Sequence, residues 1–281
     1  MPQKRWLQIN YDVPRKRIKH FLKWIENFPI AGIERRKHSF IVYIPQDDLT
    51  DKLLYPKFAR LSNVSTIAER NWNEEWEKNY EPVFDAETGL YIRAPFHKPN
   101  PQATFEVLIE PGLAFGTGHH ITTLTIAKLL LEIPCEGKSV LDVGCGSGIL
   151  GIIAAKRGAS RVVGIDIDEN ALANAKKNAL LNNISLELYD DWGQLKGSKF
   201  DLVIANIELN AHLELLPKFS KVLKDEGLLI LSGIIKKQRN KLLKHAKLFN
   251  FKPILIKDTG EWQVLLMFKS SKSQKDAQRN S

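Results

Sequence analysis

The chain has 281 residues, 43% of them hydrophobic, two cysteines and a net charge of +9. That length supports two domains, one with a sizeable core. Cys135 and Cys145 are too few and too badly spaced for a zinc site, and they suit a reduced, cytoplasmic protein better than a disulfide-stapled secreted one. The opening MPQKRWLQINYDVP has no apolar core of a signal peptide, and nowhere do enough apolar residues run together for a membrane span, so neither secretion nor membrane insertion is expected.

The charge is unevenly placed. Residues 1–70 carry 14 Lys/Arg against 7 Asp/Glu, whereas residues 71–268 carry 23 against 24. The basic N-terminal part suits contact with RNA, or with a partner bound to RNA, although a solvated surface explains the charge equally well and no RNA-binding aromatic motif accompanies it. In chain order, WLQINYD reads as a strand. RKRIKHFLKWIENF reads as an amphipathic helix, with Ile18, Phe21, Leu22 and Ile25 at helical spacing. GIERR and HSFIVYI read as short strands, DDLTDKLLYPKFARL as a helix interrupted at Pro56, and VSTIAER as a last strand. The order β-α-β-β-α-β predicts a small ferredoxin-like α+β domain over residues 1–70.

Residues 71–95 are expected to join it to a second, larger domain. NWNEEWEKNYEPV predicts a charged helix with Trp72 and Trp76 on one face, and FDAETGLYIRAPF predicts a hairpin turning at Glu-Thr-Gly. Beyond it the pattern changes. ATFEVLIE reads as a strand and TTLTIAKLLLEI as a helix. KSVLDVG, RVVGIDI, SLELYD, FDLVIANI and GLLILSG are strands, most of them separated by helical segments. Such alternation predicts a doubly wound, seven-stranded parallel α/β sheet over residues 96–269. FKPILIKD and EWQVLLMFK are joined too closely for a parallel crossover, so that pair is expected to be antiparallel. Residues 270–281 are polar and expected to be disordered.

VLDVGCGSGILG is the strongest local signal. An apolar strand runs through Asp142 into Gly144, Gly146 and Gly148 and then a helix, and glycines let the backbone come close to a ligand. Gly146 to Gly151 matches G-x-G-x-x-G, so a dinucleotide is one candidate ligand. S-adenosylmethionine is the other: Asp142 would repel a pyrophosphate but suits a cationic amino group. Asp166, closing the next strand in GIDIDENA, can accept bonds from both ribose hydroxyls, although an acid there serves a nicotinamide dinucleotide equally well. Asn206, in DLVIANIELN, ends a strand where such sheets place ligand-facing residues, and its side-chain carbonyl can hold an amine; ending the strand and capping the next helix is the structural alternative. In PGLAFGTGHHITT, adjacent histidines make a poor chelating pair and no cysteine–carboxylate cluster completes a metal shell. Thr122 and Thr123 sit where hydroxyls can satisfy helix N–H groups or reach a ligand's carboxylate.

Taken together, PGLAFGTGHHITT, VLDVGCGSGILGIIAAKRGA, VVGIDIDENAL, VIANI and GEW resemble the bacterial ribosomal protein L-eleven methyltransferase family (PrmA), a branch of the class I S-adenosylmethionine-dependent methyltransferases. The connector NWNEEWEKNYEPV is similar to that family's linker. The resemblance implies a substrate-recognition domain on a mobile linker and a methyltransferase domain that modifies lysine and N-terminal amines of a large-subunit ribosomal protein. It places cofactor contacts at Thr123, Gly144, Asp166 and Asn206, with Asn206 also positioning the acceptor. It makes PGLAFGTGHHITT the loop that covers the cofactor. A cytoplasmic monomer and no metal are expected, with another protein or an RNA as the alternative substrate. Two departures stand out. The family usually has Thr-His-Pro where this chain has His119, His120 and Ile121, and it has uncharged residues where this chain has Glu208.

Overall fold

A computed structural model describes residues 6–30, 32–36, 39–67, 80–111, 116 and 118–271. The chain divides into two compact units, residues 1–80 and 81–281.

In the first unit β1 (Trp6–Asp12) leads through a 3-10 turn at Arg15–Arg17 into α1 (Ile18–Ile25). Then come β2 (Gly32–Arg35), β3 (Ser39–Pro45), the short α2 (Asp51–Leu54) and β4 (Arg60–Ile67). The strands form one sheet in the order β2-β3-β1-β4, every neighbouring pair antiparallel. Strand period two puts Leu7, Ile9 and Tyr11 on one face, where they meet Phe21 and Ile25 of α1 and Val42 and Ile44 of β3. The Tyr11 hydroxyl donates to the Leu53 carbonyl at 2.7 Å, so the one polar atom of that buried ring is satisfied. Ending α2 at Leu54 fits the rule that the residue before a proline, here Pro56, leaves the helical region. The expected helix around Trp72 and Trp76 and most of the tail lie outside the described residues.

The second unit begins with the expected hairpin, β5 (Val83–Asp85) and β6 (Leu90–Arg93). Asp85 accepts bonds from the Thr88 backbone and hydroxyl, and Gly89 supplies the left-handed residue of the turn. The ATFEVLIE segment supplies β7 (Phe105–Leu108), which pairs in parallel with β6 in a separate three-stranded sheet. The main sheet comprises β8 (Ser139–Val143), β9 (Arg161–Ile165), β10 (Glu187–Tyr189), β11 (Phe200–Asn206), β12 (Leu223–Ile235), β13 (Phe251–Thr259) and β14 (Trp262–Lys269). Its order is β10-β9-β8-β11-β12-β14-β13. The first five run parallel. β14 is antiparallel to both neighbours, and against β13 it must be, since only Gly260 and Glu261 separate the two strands.

Strands buried on both faces read as continuous apolar runs, and adjacent residues divide between two cores. Val140 of β8 packs with α3 (Ile121–Glu132) and α4 (Ile149–Lys156), and Ala179 of α5 (Glu169–Leu181) joins the same cluster. Leu141 packs with α6 (Leu209–Val222) and α7 (Arg239–Leu248) on the opposite face. The sheet reverses direction of winding beside β8, so the carboxyl ends of β8, β9 and β11 open onto a crevice where ligands of such sheets bind.

Candidate active site

The loop after β8 is held in a shape that side chains resist. Gly144, Gly146 and Gly148 all have positive φ, of 66°, 53° and 78°. A Cβ on Gly144 would come 2.6 Å from the Ile207 side chain, so the backbone approaches the β11 end more closely than any other residue allows. The Gly144 and Cys145 N–H groups donate to the Ile165 carbonyl, and the Gly146 N–H donates to Asp166 at 2.9 Å. The other Asp166 oxygen accepts from the Asp168 N–H at 3.1 Å. Asp166 therefore braces the loop with one lone pair per oxygen and keeps further acceptor capacity for a ligand.

Asp142 lies beneath, 2% exposed, and accepts from the Gly151 N–H in the first turn of α4 at 3.0 Å. Burial pushes its carboxyl up to about 7; the Gly151 bond opposes this and the nearby Asp166 adds to it. A helix N–H that a pyrophosphate would need is thus already engaged by an acid.

Gly144 and Asp166 line one cavity of about 170 Å³ together with Ile167, Asp190, Trp192 and Ile207. Ile167, directly after Asp166, is 95% exposed. A bare isoleucine at the mouth of a mostly apolar cavity offers a face for a flat apolar ring.

The second cluster adjoins the first through Ile207. The Asn206 amide donates to the Thr122 hydroxyl at 3.2 Å and the Thr123 hydroxyl at 3.3 Å, both threonines being 1% exposed. Neither hydroxyl caps the helix. His120 does that, its Nδ1 accepting from the Thr122 N–H at 3.4 Å and lying 2.7 Å from the Thr122 hydroxyl. With Nδ1 accepting, the chain runs Asn206 to Thr122 to His120, and the Asn206 carbonyl oxygen is left as an acceptor. Trp262 packs edge-on against His120 with ring centroids 5.1 Å apart, which places the GEW segment beside this cluster. His119 points elsewhere, to the Glu81 carbonyl at 2.8 Å, and among the described residues no group of three metal-ligating side chains forms.

Supporting residues escaped the sequence reading. Asn178 accepts from the Glu110 N–H at 2.8 Å and donates to the Ser147 carbonyl at 2.9 Å. Asn182 closes both polar groups of Leu108. One turn apart, in the last turn of α5 and at its C-cap, the pair ties the end of β7 to the glycine loop, and the Ser147 hydroxyl donates to the Gly116 carbonyl at 2.6 Å. Their signal was faint: two asparagines at i, i+4 on a helix face. His212 of α6 is buried, donates to the Ser232 carbonyl at 2.7 Å and has its basicity pushed down to about 4 by burial, so it stays neutral under the segment after Asn206. Glu208 begins α6 without capping it and is exposed.

The profile of the family described as ribosomal protein L11 methyltransferase (PrmA) matches residues 16–270. The chain belongs to that family. Among its members, the ribosomal protein L11 methyltransferase of Phocaeicola vulgatus is 46% identical over 175 residues, 60% of this chain and 62% of that protein. The Porphyromonas gingivalis protein is 43% identical over 58% of this chain and 57% of its own. The aligned stretch thus spans less than two thirds of these two relatives. The Dictyoglomus turgidum member is 35% identical over 71% of this chain and 67% of its own. A solved structure, the ribosomal protein L11 methylase of Lactobacillus delbrueckii subsp. bulgaricus, superposes with a TM-score of 0.61 at 31% identity, covering 68% of this chain and 100% of that one. The seven-stranded, mostly parallel sheet is the part of the fold this family predicts. The Thr122–Thr123 pair and the glycine loop fall within the motifs that carry the family resemblance.

Proposed function

We propose that the protein transfers methyl groups from S-adenosylmethionine to lysine and N-terminal amines of ribosomal protein L11. The observation that carries the reading is the meeting of two half-sites at the strand ends: a nucleoside cradle at Gly144 and Asp166, and an amide held by two buried threonines at Asn206. The cradle fits the cofactor, since Gly144 admits no side chain, Asp166 keeps acceptor capacity for ribose hydroxyls, and Ile167 and Trp192 flank space for a base. When bound, S-adenosylmethionine supplies an activated methyl on a sulfonium. Thr123, Gly144, Asp166 and Asn206 are the residues that would hold it.

The chain's own task is to deliver an uncharged amine. A free lysine, with a pKa near 10.4, is neutral about once in 2,500 at pH 7, a cost of about 4.6 kcal/mol. Exclusion of water from the crevice favours the neutral form. The Asn206 carbonyl accepts an amine N–H and so points the nitrogen lone pair away from itself, and alignment supplies the larger part of the acceleration. Thr122 and Thr123 fix that carbonyl by holding the amide nitrogen. No general base is required of the protein.

Residues 1–70 would form the substrate-recognition domain. Their strand order and antiparallel pairing support a ferredoxin-like fold, and their basic balance suits ribosomal RNA beside the substrate. Residues 71–95 would act as linker and residues 96–269 as the methyltransferase domain, in a cytoplasmic monomer. No helix among the described residues is long and apolar enough to cross a membrane. The test is incubation with methyl-labelled S-adenosylmethionine and ribosomal subunits, then mass spectrometry of the peptides. Label on L11 amines supports the proposal, and label on RNA or on other proteins alone overturns it.

A further inference from the structure

We infer that the N-terminal unit carries a single-stranded RNA site, in the groove between the end of β1 and the start of β4. This deepens the ribosomal RNA contact proposed above and depends on no step of methyl transfer. Asp12, Arg15, Arg17, Phe58 and Arg60 line a cavity there of about 480 Å³, within the range of ligand pockets.

The sequence brings three guanidinium groups to one place for a topological reason. Asp12 and Arg60 are partners in the β1/β4 ladder, so the chain leaving β1 and the chain entering β4 run side by side. Pro14 opens the 3-10 turn whose first and third residues are Arg15 and Arg17, and the Arg17 N–H closes that turn on the Pro14 carbonyl at 2.7 Å. The groove has one acid, Asp12, which accepts from the neutral Ser62 hydroxyl at 2.6 Å and pairs with none of the arginines, so the guanidinium groups outnumber it three to one. Among the described residues none of the three arginines forms an ion pair, and all three are exposed. Three like charges around one cleft repel one another. An anion spanning them removes that repulsion, and guanidinium groups take phosphate oxygens in a bidentate manner.

Phe58 decides which anion. Its ring is half-buried, packed partly on the domain core and partly lining the groove. His20 lies against it with centroids 5.7 Å apart, and the Lys57 ammonium is 5.9 Å from its centroid. Tyr55, three residues earlier, is 81% exposed. An acidic peptide would satisfy the arginines and leave these rings idle. A single-stranded nucleic acid uses both, setting phosphates on the cations and a base on the ring.

Fluorescence anisotropy of a short labelled single-stranded RNA, titrated with the full chain across a range of salt, tests this. Each phosphate contact to a single strand contributes about 0.7 to the slope of log K against log salt, so the Arg15→Gln, Arg17→Gln, Arg60→Gln variant should lose about 2 from that slope. Phe58→Leu should weaken binding by about fivefold or more and leave the slope alone, since stacking is not ionic. Equal slopes for wild type and the triple variant would overturn the inference. So would a poly-glutamate peptide that binds as tightly as RNA and loses as much affinity in the triple variant, because that result makes the groove a protein site. Calorimetry with S-adenosylhomocysteine on the same samples reads the methyltransferase assignment separately, in the unit that lacks these arginines.

Discussion

Asp142 carries a cost that rises with pH. Its carboxyl has a folded value of about 7 against 3.8 for the ordinary group, because burial disfavours the charge more than the Gly151 N–H relieves it. The folded chain therefore holds a proton that the unfolded chain releases between about pH 4 and pH 7, and stability falls as pH rises through that window. At 1.36 kcal/mol per pH unit the full penalty is on the order of 4 kcal/mol above pH 7. Asp142→Asn keeps the shape and the acceptor for Gly151 and removes the titration. Its advantage over wild type in urea unfolding of the cofactor-free protein should grow by about 2–3 kcal/mol between pH 5 and pH 8. A gap that stays constant over that range would show that Asp142 keeps its ordinary acidity, and the reasoning about its burial would fail. On the proposed reading the same linkage reaches the cofactor: a cationic ligand bound near Asp142 would draw its pKa down, so binding near pH 7 should release a fraction of a proton.

The site yields three further expected outcomes. Asp166→Ala removes the brace on Gly146 and, on the proposed reading, the acceptors for the ribose hydroxyls, so affinity for S-adenosylhomocysteine should drop by about 100-fold or more; wild-type affinity in calorimetry would take Asp166 out of the site. Asn182→Ala leaves both polar groups of Leu108 without their side-chain partners, and the urea midpoint should fall by the equivalent of about 1–3 kcal/mol, with no loss meaning that water replaces the amide. Glu208→Gln removes an exposed charge two residues after Asn206, so the pH profile of turnover should shift if Glu208 steadies the incoming ammonium; an unmoved profile makes it a surface charge.

Much of the architecture was legible because it is written in periodicities. Strand β1 spans the predicted WLQINYD, and the α1 stripe faces the core through Phe21 and Ile25 as its spacing required. The two-residue link before β14 dictates antiparallel pairing by its length alone. The glycine loop was legible because three glycines beside an apolar strand have few other uses. Less was visible where a partner lies far off in sequence. Nothing local says that β7 would leave the main sheet for the hairpin, since its alternation is the same in either place and the choice is made by Asn178 and Asn182, some seventy residues later.

The threonines show the same limit most sharply. By position in the chain, Thr122 and Thr123 stand at a helix start, where hydroxyls ordinarily cap N–H groups. The structure gives capping to His120 and turns both hydroxyls toward Asn206, 84 and 83 residues away. A resemblance can name Thr123 and Asn206 together, yet it gives no reason for both. The reason is mechanical: an amide able to rotate would present nitrogen or oxygen to an amine with similar ease, and only oxygen accepts. With His120 Nδ1 taking its proton, the Thr122 hydroxyl can only accept from the amide, which turns the nitrogen toward the threonines, and Thr123 adds a second acceptor there. Thr123→Val should therefore depress kcat for the amine more than it raises KM for the cofactor, by about tenfold if one hydrogen bond of about 1.4 kcal/mol is lost. The reverse pattern, a raised cofactor KM with kcat intact, would make Thr123 a cofactor contact and nothing more.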